Sequence, residues 1–507
     1  MPSPASRALA RPDPRVVVAG LTLLAFLLRA FVIDQGAVFD ELFLLEIVHN
    51  HGLRDVITSV HETESTPPLH FILAWAAARV GGDDFLWIKV PSLLMSTATV
   101  PLIYVLGERT VGRTAGVIGA AFFALAPFDI YYGTEGRAYA TLAFLCAAST
   151  LCLVELMRTG RRGWAIALAI TTAAALYTHY TAVFVVAAQL GWGLWAHRDR
   201  TKLLLLSYAC VAVLYLPWIP SYIVQSEDSA AVRIEALLSL TVGNVFDTLG
   251  RVLIGHPVAG LDAVPGVAGA VLVAAGLALA GAVAVARTLR ARRPSMSPNT
   301  ALLLLLALAT PVGAFLYSLG PTSVFLPRNL SPSIPAAVLL AGALLAAIRR
   351  PVAVAAATAA VLAGLSLGTV QMLQESYRRA PYREVARDLD RTVRPEAPIV
   401  ELSIGLGPLA RQLGFYFREP HEYFPTRSSL DPAYRMGRRS GEFVVVVPSV
   451  GVSGFLPWLG LREQGFRLAS VERYRGAPEL MVRKYVPTLT TASSSTHSAP
   501  AARGATR

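Results

Sequence analysis

The chain has 507 residues, of which 54% are hydrophobic and 15% charged, and its 45 Lys and Arg outnumber its 33 Asp and Glu to give a net charge of +12. Soluble domains carry about 25% charged residues, so the composition excludes an ordinary soluble enzyme and points to a membrane protein. A basic balance alone would also suit nucleic acid, but here the charge sits in alternate loops between apolar runs, which marks membrane topology.

In chain order, residues 1–15 contain Arg7, Arg11 and Arg15 and read as a cytoplasmic tail. Apolar runs near 16–33, 87–107, 114–130, 138–157, 163–179, 181–196, 203–220, 264–286, 300–319, 332–348 and 352–372 predict eleven transmembrane helices. No small-residue cleavage site follows the first run, so it reads as an uncleaved span and not a signal peptide. The loops GERTVGR, RTGRRG, HRDRTK, RTLRARR and RRP are basic, whereas YYGTEGR, YTHYT and PTSVFLPRNL on the opposite side are poor in basic residues. This alternation places the N-terminus inside.

The stretch PPLHFILAWAAARVGG, residues 67–82, is apolar but short, and a crossing there would move every later basic loop outside. It therefore reads as an interfacial or re-entrant helix, which leaves 34–86 as one external loop. Residues 373–486 regain charge. APIVEL and EFVVVVP read as strands and YREVARDLDRTV as a helix, so this part is expected to form a small extracytoplasmic α/β domain. Residues 487–507 have the composition of a disordered tail. The predicted fold class is a polytopic α-helical membrane protein, residues 16–372, with this small soluble α/β domain appended.

The external loops hold the residues suited to chemistry. Asp40 and Glu41 stand side by side in GAVFDELFLL. One reading is structural: Asp40 caps a helix of roughly 41–50, and Glu41 sits in its first turn where the helix dipole favours an acid. The other is catalytic, because successive helical residues point about 100° apart and one acid can face a site while its neighbour supports it. In FDIYYGTEGRAYA, Glu135, Arg137 and Tyr139 lie at an outer membrane edge. An arginine there runs against the local charge rule and suits an anion, since guanidinium is planar and always charged. Tyr177 and His179 mark another outer corner, and Arg328 is the one basic residue of VFLPRNLSPSIP.

His61, Glu62, Glu64 and His70 are residue types that can hold a divalent metal, but their spacing is not diagnostic. No metal ligand is assigned and no cofactor is otherwise implied. Cys146, Cys152 and Cys210 all fall in apolar runs and read as buried hydrophobes. External acids beside arginines suit transfer of a sugar from a polyprenyl phosphate. The phosphate leaves readily, so one carboxylate base for an acceptor hydroxyl suffices, with arginines to stabilise the departing charge. A transporter or lipid flippase is the competing class. The lack of a clear internal repeat and the near absence of mid-span charge argue against it.

The segments VFDELFLLE, ESTPPLHFILAW, the long run from IKVPSLLM to GTEGRAYA, YTHYTAVF and PRNLSPSIPA together resemble bacterial family-39-like glycosyltransferases of the GT-C fold. These are relatives of protein mannosyltransferases and of the lipid-A aminoarabinose transferase, and the likeness spans roughly 15–350. The resemblance implies an inverting transferase in the bacterial inner membrane. Its donor would be a polyprenyl-phosphate sugar and its acceptor a hydroxyl of an extracytoplasmic protein, lipid or cell-envelope glycan. It matches Asp40 to the family's acidic loop motif, which makes Asp40 the expected general base with Glu41 in support. It matches TEGRAYA to a QEAR-x-YA pattern, which carries over Glu135, Arg137 and Tyr139. Here Thr134 stands for Gln and Gly136 for Ala. PRNLSP matches a PRYLLP-like motif through Arg328, with Asn329 where an aromatic is usual. His70 and His179, within two of the quoted segments, complete the expected donor- and substrate-binding set.

Overall fold

The computed structural model describes residues 13–37, 39–49, 51–82, 85–227, 240–290, 296–320, 323–348, 350–402, 412–425, 430–449 and 459–488. Most of the 1–15 tail and nearly all of the 487–507 tail lie outside these residues. The chain forms two compact units that divide after Arg379.

The first unit is helical. It begins with α1 (Pro14–Val32), the three external-loop helices α2 (Phe39–Val48), α3 (Leu53–Thr63) and α4 (Leu69–Gly81), and then α5 (Phe85–Thr110). It continues with α6 (Arg113–Leu125), the short α7 (Pro127–Tyr132) and α8 (Tyr139–Thr159). Among the described residues, eight helices are long and apolar enough to cross a membrane. Every one of the eleven expected spans contains a helix. Three of those helices are shorter, however: α6 has 13 residues and Arg162–Leu176 and Ala182–Ala196 have 15 each. A 30 Å hydrocarbon layer takes about 20 helical residues, so by length alone eight of the eleven expected spans are full crossings. The chain is nonetheless a multi-pass membrane protein by its apolar helices.

Small residues let these helices approach closely where lipid supplies no hydrophobic drive between them. A Cβ on Gly107 of α5 would lie 2.5 Å from the Gly116 Cα of α6, and one on Gly342 would lie 2.4 Å from the Ala115 carbonyl. The basic residues gather at one end of this bundle. Arg109, at the end of α5, meets the buried Glu155 near the end of α8 at 3.1 Å. Arg200 donates to the Leu156 carbonyl at 3.0 Å. At the other end, where α1 stops and α5 and α8 start, the Lys89 amine donates to the Gln35 carbonyl at 2.8 Å and Ser92 to the Arg137 carbonyl at 3.1 Å.

The second unit is built on a five-stranded sheet in the order β2-β1-β3-β5-β4. Its strands are β1 (Ile399–Glu401), β2 (Tyr423–Pro425), β3 (Phe443–Pro448), β4 (Phe466–Tyr474) and β5 (Leu480–Pro487). β1 runs parallel to β2 and β3, and β5 pairs antiparallel with both β3 and β4. The continuous FVVVVP run of β3 is buried at every position, as a central strand covered on both faces requires. The helix Tyr382–Thr392 buries Val385, Ala386 and Leu389 into the same core as Ile399 and Val444.

Candidate active site

The site lies at the end of the first unit away from the basic cluster. α2 begins at Phe39, so Asp40 and Glu41 both lie inside its first turn, and Asp40 is not an N-cap. Their side chains diverge. Asp40 is 29% exposed, and its Oδ2 accepts from Arg328 Nη1 at 2.6 Å. Glu41 is fully buried. Its Oε1 accepts the Gly136 backbone N–H at 2.5 Å, both of its oxygens lie 3.1 Å from Arg379 Nη1, and Lys89 Nζ lies 3.6 Å from Oε2. A buried carboxylate requires such compensation, because leaving it unpaired is expensive.

The turn between α7 and α8 carries the second group. Thr134 donates its hydroxyl to the Tyr131 carbonyl at 2.9 Å, which closes the turn where the related pattern has Gln. Gly136 gives its amide to Glu41, and a Cβ there would meet Glu41 and Ile88 at an ordinary 3.4 Å, so the family's Ala would fit. Arg137 reaches back to the first loop. It donates to the Asp40 carbonyl at 3.4 Å, lies 3.7 Å from Glu64 Oε2 and sits over the Phe71 ring. Tyr139, the first residue of α8, lies under the Arg328 guanidinium at 5.8 Å from its ring centre. Arg328 belongs to a short 3₁₀ segment, Pro327–Ser333, that a proline opens. Asn329 donates to the Val324 carbonyl at 2.8 Å and so fastens this loop.

Opposed electrostatics separate the acids. Burial pushes the Asp40 carboxyl up, but the Arg328 and Arg137 guanidiniums outweigh it and hold the group below its ordinary range. Burial wins at Glu64 despite Arg137, and its carboxyl is raised. Burial likewise pushes Glu135 up to about 7, against the pull of Arg379, and its Oε2 is buried with no hydrogen-bond partner among the described residues. Asp40 is thus the ionised, accessible acid of the set, and carboxyl groups pushed apart in this way are suited to separate roles.

Of the expected residues, Asp40, Glu41, Glu135, Arg137, Tyr139 and Arg328 fall into this one constellation. The two histidines line its inner side. His179 Nδ1 accepts from the Thr181 amide at 3.3 Å, and the ring lies 5.8 Å from that of Tyr139. His70 is buried with Nδ1 3.3 Å from the Thr141 hydroxyl. Among the described residues no cluster of three or more His, Cys, Asp or Glu is arranged to hold a metal ion. Glu64, named in the sequence only as a metal-ligand type, instead faces Arg137.

Three participants escaped the sequence reading. Lys89 and Arg379 neutralise Glu41. Arg29, fully buried in α1, donates to Ser96 at 2.7 Å and to the Ala124 and Phe123 carbonyls at the end of α6, 3.3 Å each. It thereby satisfies the helix end that precedes the site turn. A lone charge inside an otherwise apolar helix was the available clue for Arg29. Arg379 carried no such signal.

Residues 65–223 match the family described as dolichyl-phosphate-mannose-protein mannosyltransferase. The matched region contains His70, Glu135, Arg137, Tyr139 and His179. Comparison with curated proteins gives no match. Among solved structures, ArnT from Cupriavidus metallidurans in the apo state is similar at a TM-score of 0.55 and 16% identity, over 92% of this chain and 97% of that one. The same protein bound to undecaprenyl phosphate gives 0.53 and 15% over the same shares. The apo oligosaccharyltransferase of Archaeoglobus fulgidus gives 0.54 and 12%, over 90% of this chain and 72% of that one. The fold is therefore GT-C, the architecture that these membrane glycosyltransferases share.

Proposed function

We propose that this chain is a membrane glycosyltransferase that moves a sugar from a polyprenyl-phosphate donor to an acceptor hydroxyl, with inversion at the anomeric carbon. The observation that carries this reading is a part-exposed Asp40, paired with Arg328 and with Arg137 on its backbone carbonyl, at one end of the membrane bundle. Asp40 takes the acceptor proton as the hydroxyl oxygen attacks the anomeric carbon. The bond to the phosphate oxygen breaks, and Arg137 and Arg328 stabilise the charge left on the phosphate. Glu41 supports this geometry from the buried side of the same helical turn. Tyr139, Glu135, His70 and His179 line the pocket for donor and sugar.

The undecaprenyl phosphate bound by ArnT, and the mannosyltransferase family matched by 65–223, support a lipid-phosphate donor. The basic loops at the far end support a cytoplasmic N-terminus and a site on the extracytoplasmic face, and the resemblance to bacterial transferases supports residence in a bacterial inner membrane. Residues 373–486 are then an extracytoplasmic domain. The acceptor is a protein, lipid or envelope glycan bearing a hydroxyl. The test is transfer by the purified protein from polyprenyl-phosphate sugars, beside the Asp40→Asn variant. A loss of at least about 100-fold in the variant is expected for removal of a general base. Undiminished transfer would overturn the assignment of Asp40.

A further inference from the structure

Glu41, which supports the proposed chemistry without taking part in it, makes several polar contacts of its own in the site. Glu41 joins four separate stretches of chain: its own helix α2, Lys89 of α5, the Gly136 amide of the site turn, and Arg379, which follows the last membrane helix Pro351–Met372. Arg379 is the farthest from these in sequence and lies beyond the region matched by the mannosyltransferase family. It is nonetheless fixed three times over. Its backbone amide donates to Gln35 Oε1 at 3.2 Å, its Nη1 lies 3.1 Å from each Glu41 oxygen, and its guanidinium lies 5.1 Å from the Tyr131 ring centre.

We infer that Arg379 is a positioning residue for the transfer reaction, acting through Glu41 on both Asp40 and the turn that carries Arg137. This rests on the glycosyltransferase reading for its consequence, though not for its geometry. Glu41 follows Asp40 directly, so the clamp on one sets the rotation of the helical turn that aims the other. Glu41 also accepts the amide of Gly136, which precedes Arg137. One buried carboxylate therefore holds base and arginine in mutual register, and it keeps that place because Arg379 and Lys89 neutralise it. Without Arg379 the carboxylate loses its closest cation and its hold on Gly136 weakens. Because a single nitrogen, Nη1, makes both contacts to Glu41, a lysine ammonium can replace much of the interaction. The fork geometry that normally separates Arg from Lys is not in use here.

The test uses the full chain in detergent or nanodiscs, with Arg379→Met and Arg379→Gln as loss variants and Arg379→Lys as rescue. Hydrogen exchange of the 133–138 segment is expected to speed up by about 10-fold or more in the loss variants, with that of 139–159 unchanged. The kcat for transfer is expected to fall about 100-fold with donor KM changed far less, as for a displaced catalytic group. The lysine variant is expected to restore most of both. Wild-type exchange at 133–138 in the loss variants, or faster exchange with wild-type kcat, would overturn the inference. A wild-type protein that transfers no lipid-phosphate sugar would instead sink the glycosyltransferase reading, while the exchange data would still decide the Arg379–Glu41–Gly136 linkage.

Discussion

Arg328 Nη1 lies 2.6 Å from Asp40 Oδ2, although the two residues stand 288 positions apart in the chain. The pair places a cation on the acid proposed as the base. It holds the Asp40 carboxyl below its ordinary range, and in the proposed reaction the same arginine stabilises the departing phosphate.

This fixes a pH dependence. Burial alone raises the Asp40 carboxyl; the arginines reverse the sign and hold it low. Activity that needs the ionised form therefore persists until the pH falls below the usual carboxylate range. In Arg328→Met the larger of the two opposing charges is gone, and burial is opposed by Arg137 alone. The acid limb of the pH–rate profile should move up by about one unit or more. An unmoved limb would show that Asp40 is not the titrating group.

Arg137 donates to the Asp40 carbonyl and pairs with Glu64, and acts on the Asp40 carboxylate as a nearby charge. Its proposed work is on donor phosphate. Arg137→Ala should raise the apparent donor KM by about 10-fold or more, the usual worth of a hydrogen bond to a charged group. Steady-state kinetics at varied donor concentration measure this, and a wild-type donor KM would count against a phosphate role.

Glu135 should make stability fall as pH rises. Its folded value, about 7, lies above the 4.5 of an ordinary glutamate, so the folded state binds its proton more tightly than the unfolded state. Its contribution is fully present below the ordinary value and is lost as pH climbs toward and through 7. Glu135→Gln cannot ionise, so it should flatten that part of the curve and have the higher Tm at pH 8. Thermal unfolding of both proteins from pH 5 to 8 tests the sign.

Two glycines of the same turn should respond differently to alanine. At Gly133 a Cβ would lie 2.6 Å from Ser96 Oγ and 2.8 Å from both Arg29 Nε and the Asp129 carbonyl. Gly133→Ala should cost about 1–3 kcal/mol through overpacking around the Arg29 network, with a lower Tm. Gly136→Ala meets neighbours at 3.4 Å and should leave Tm near that of wild type. Equal responses would contradict the packing of this turn.

Much of the architecture was legible in the sequence because membrane helices and buried strands are local patterns. Apolar runs located a helix at every expected span, and FVVVVP announced the central strand of the sheet. The same patterns fix helix ends less well: Arg113–Leu125 and Arg162–Leu176 stop a few residues short of the runs at 114–130 and 163–179, whereas Ala182–Ala196 matches 181–196. In GAVFDELFLL the acid pair was visible, and the resemblance already offered Asp40 as base with Glu41 in support, but the partners that hold the two apart were not visible. The angle between adjacent helical residues allows divergence, and the partners realise it: Arg328 on the part-exposed Asp40, Arg379 and Lys89 on the buried Glu41. Those partners come from distant parts of the chain, and their pairing is set by which helix ends meet at one end of the bundle. The sequence by itself therefore determined the class of protein and the chemistry on offer. The tertiary structure decided which charges meet, because burial makes an ion pair obligatory only after packing has excluded water from it.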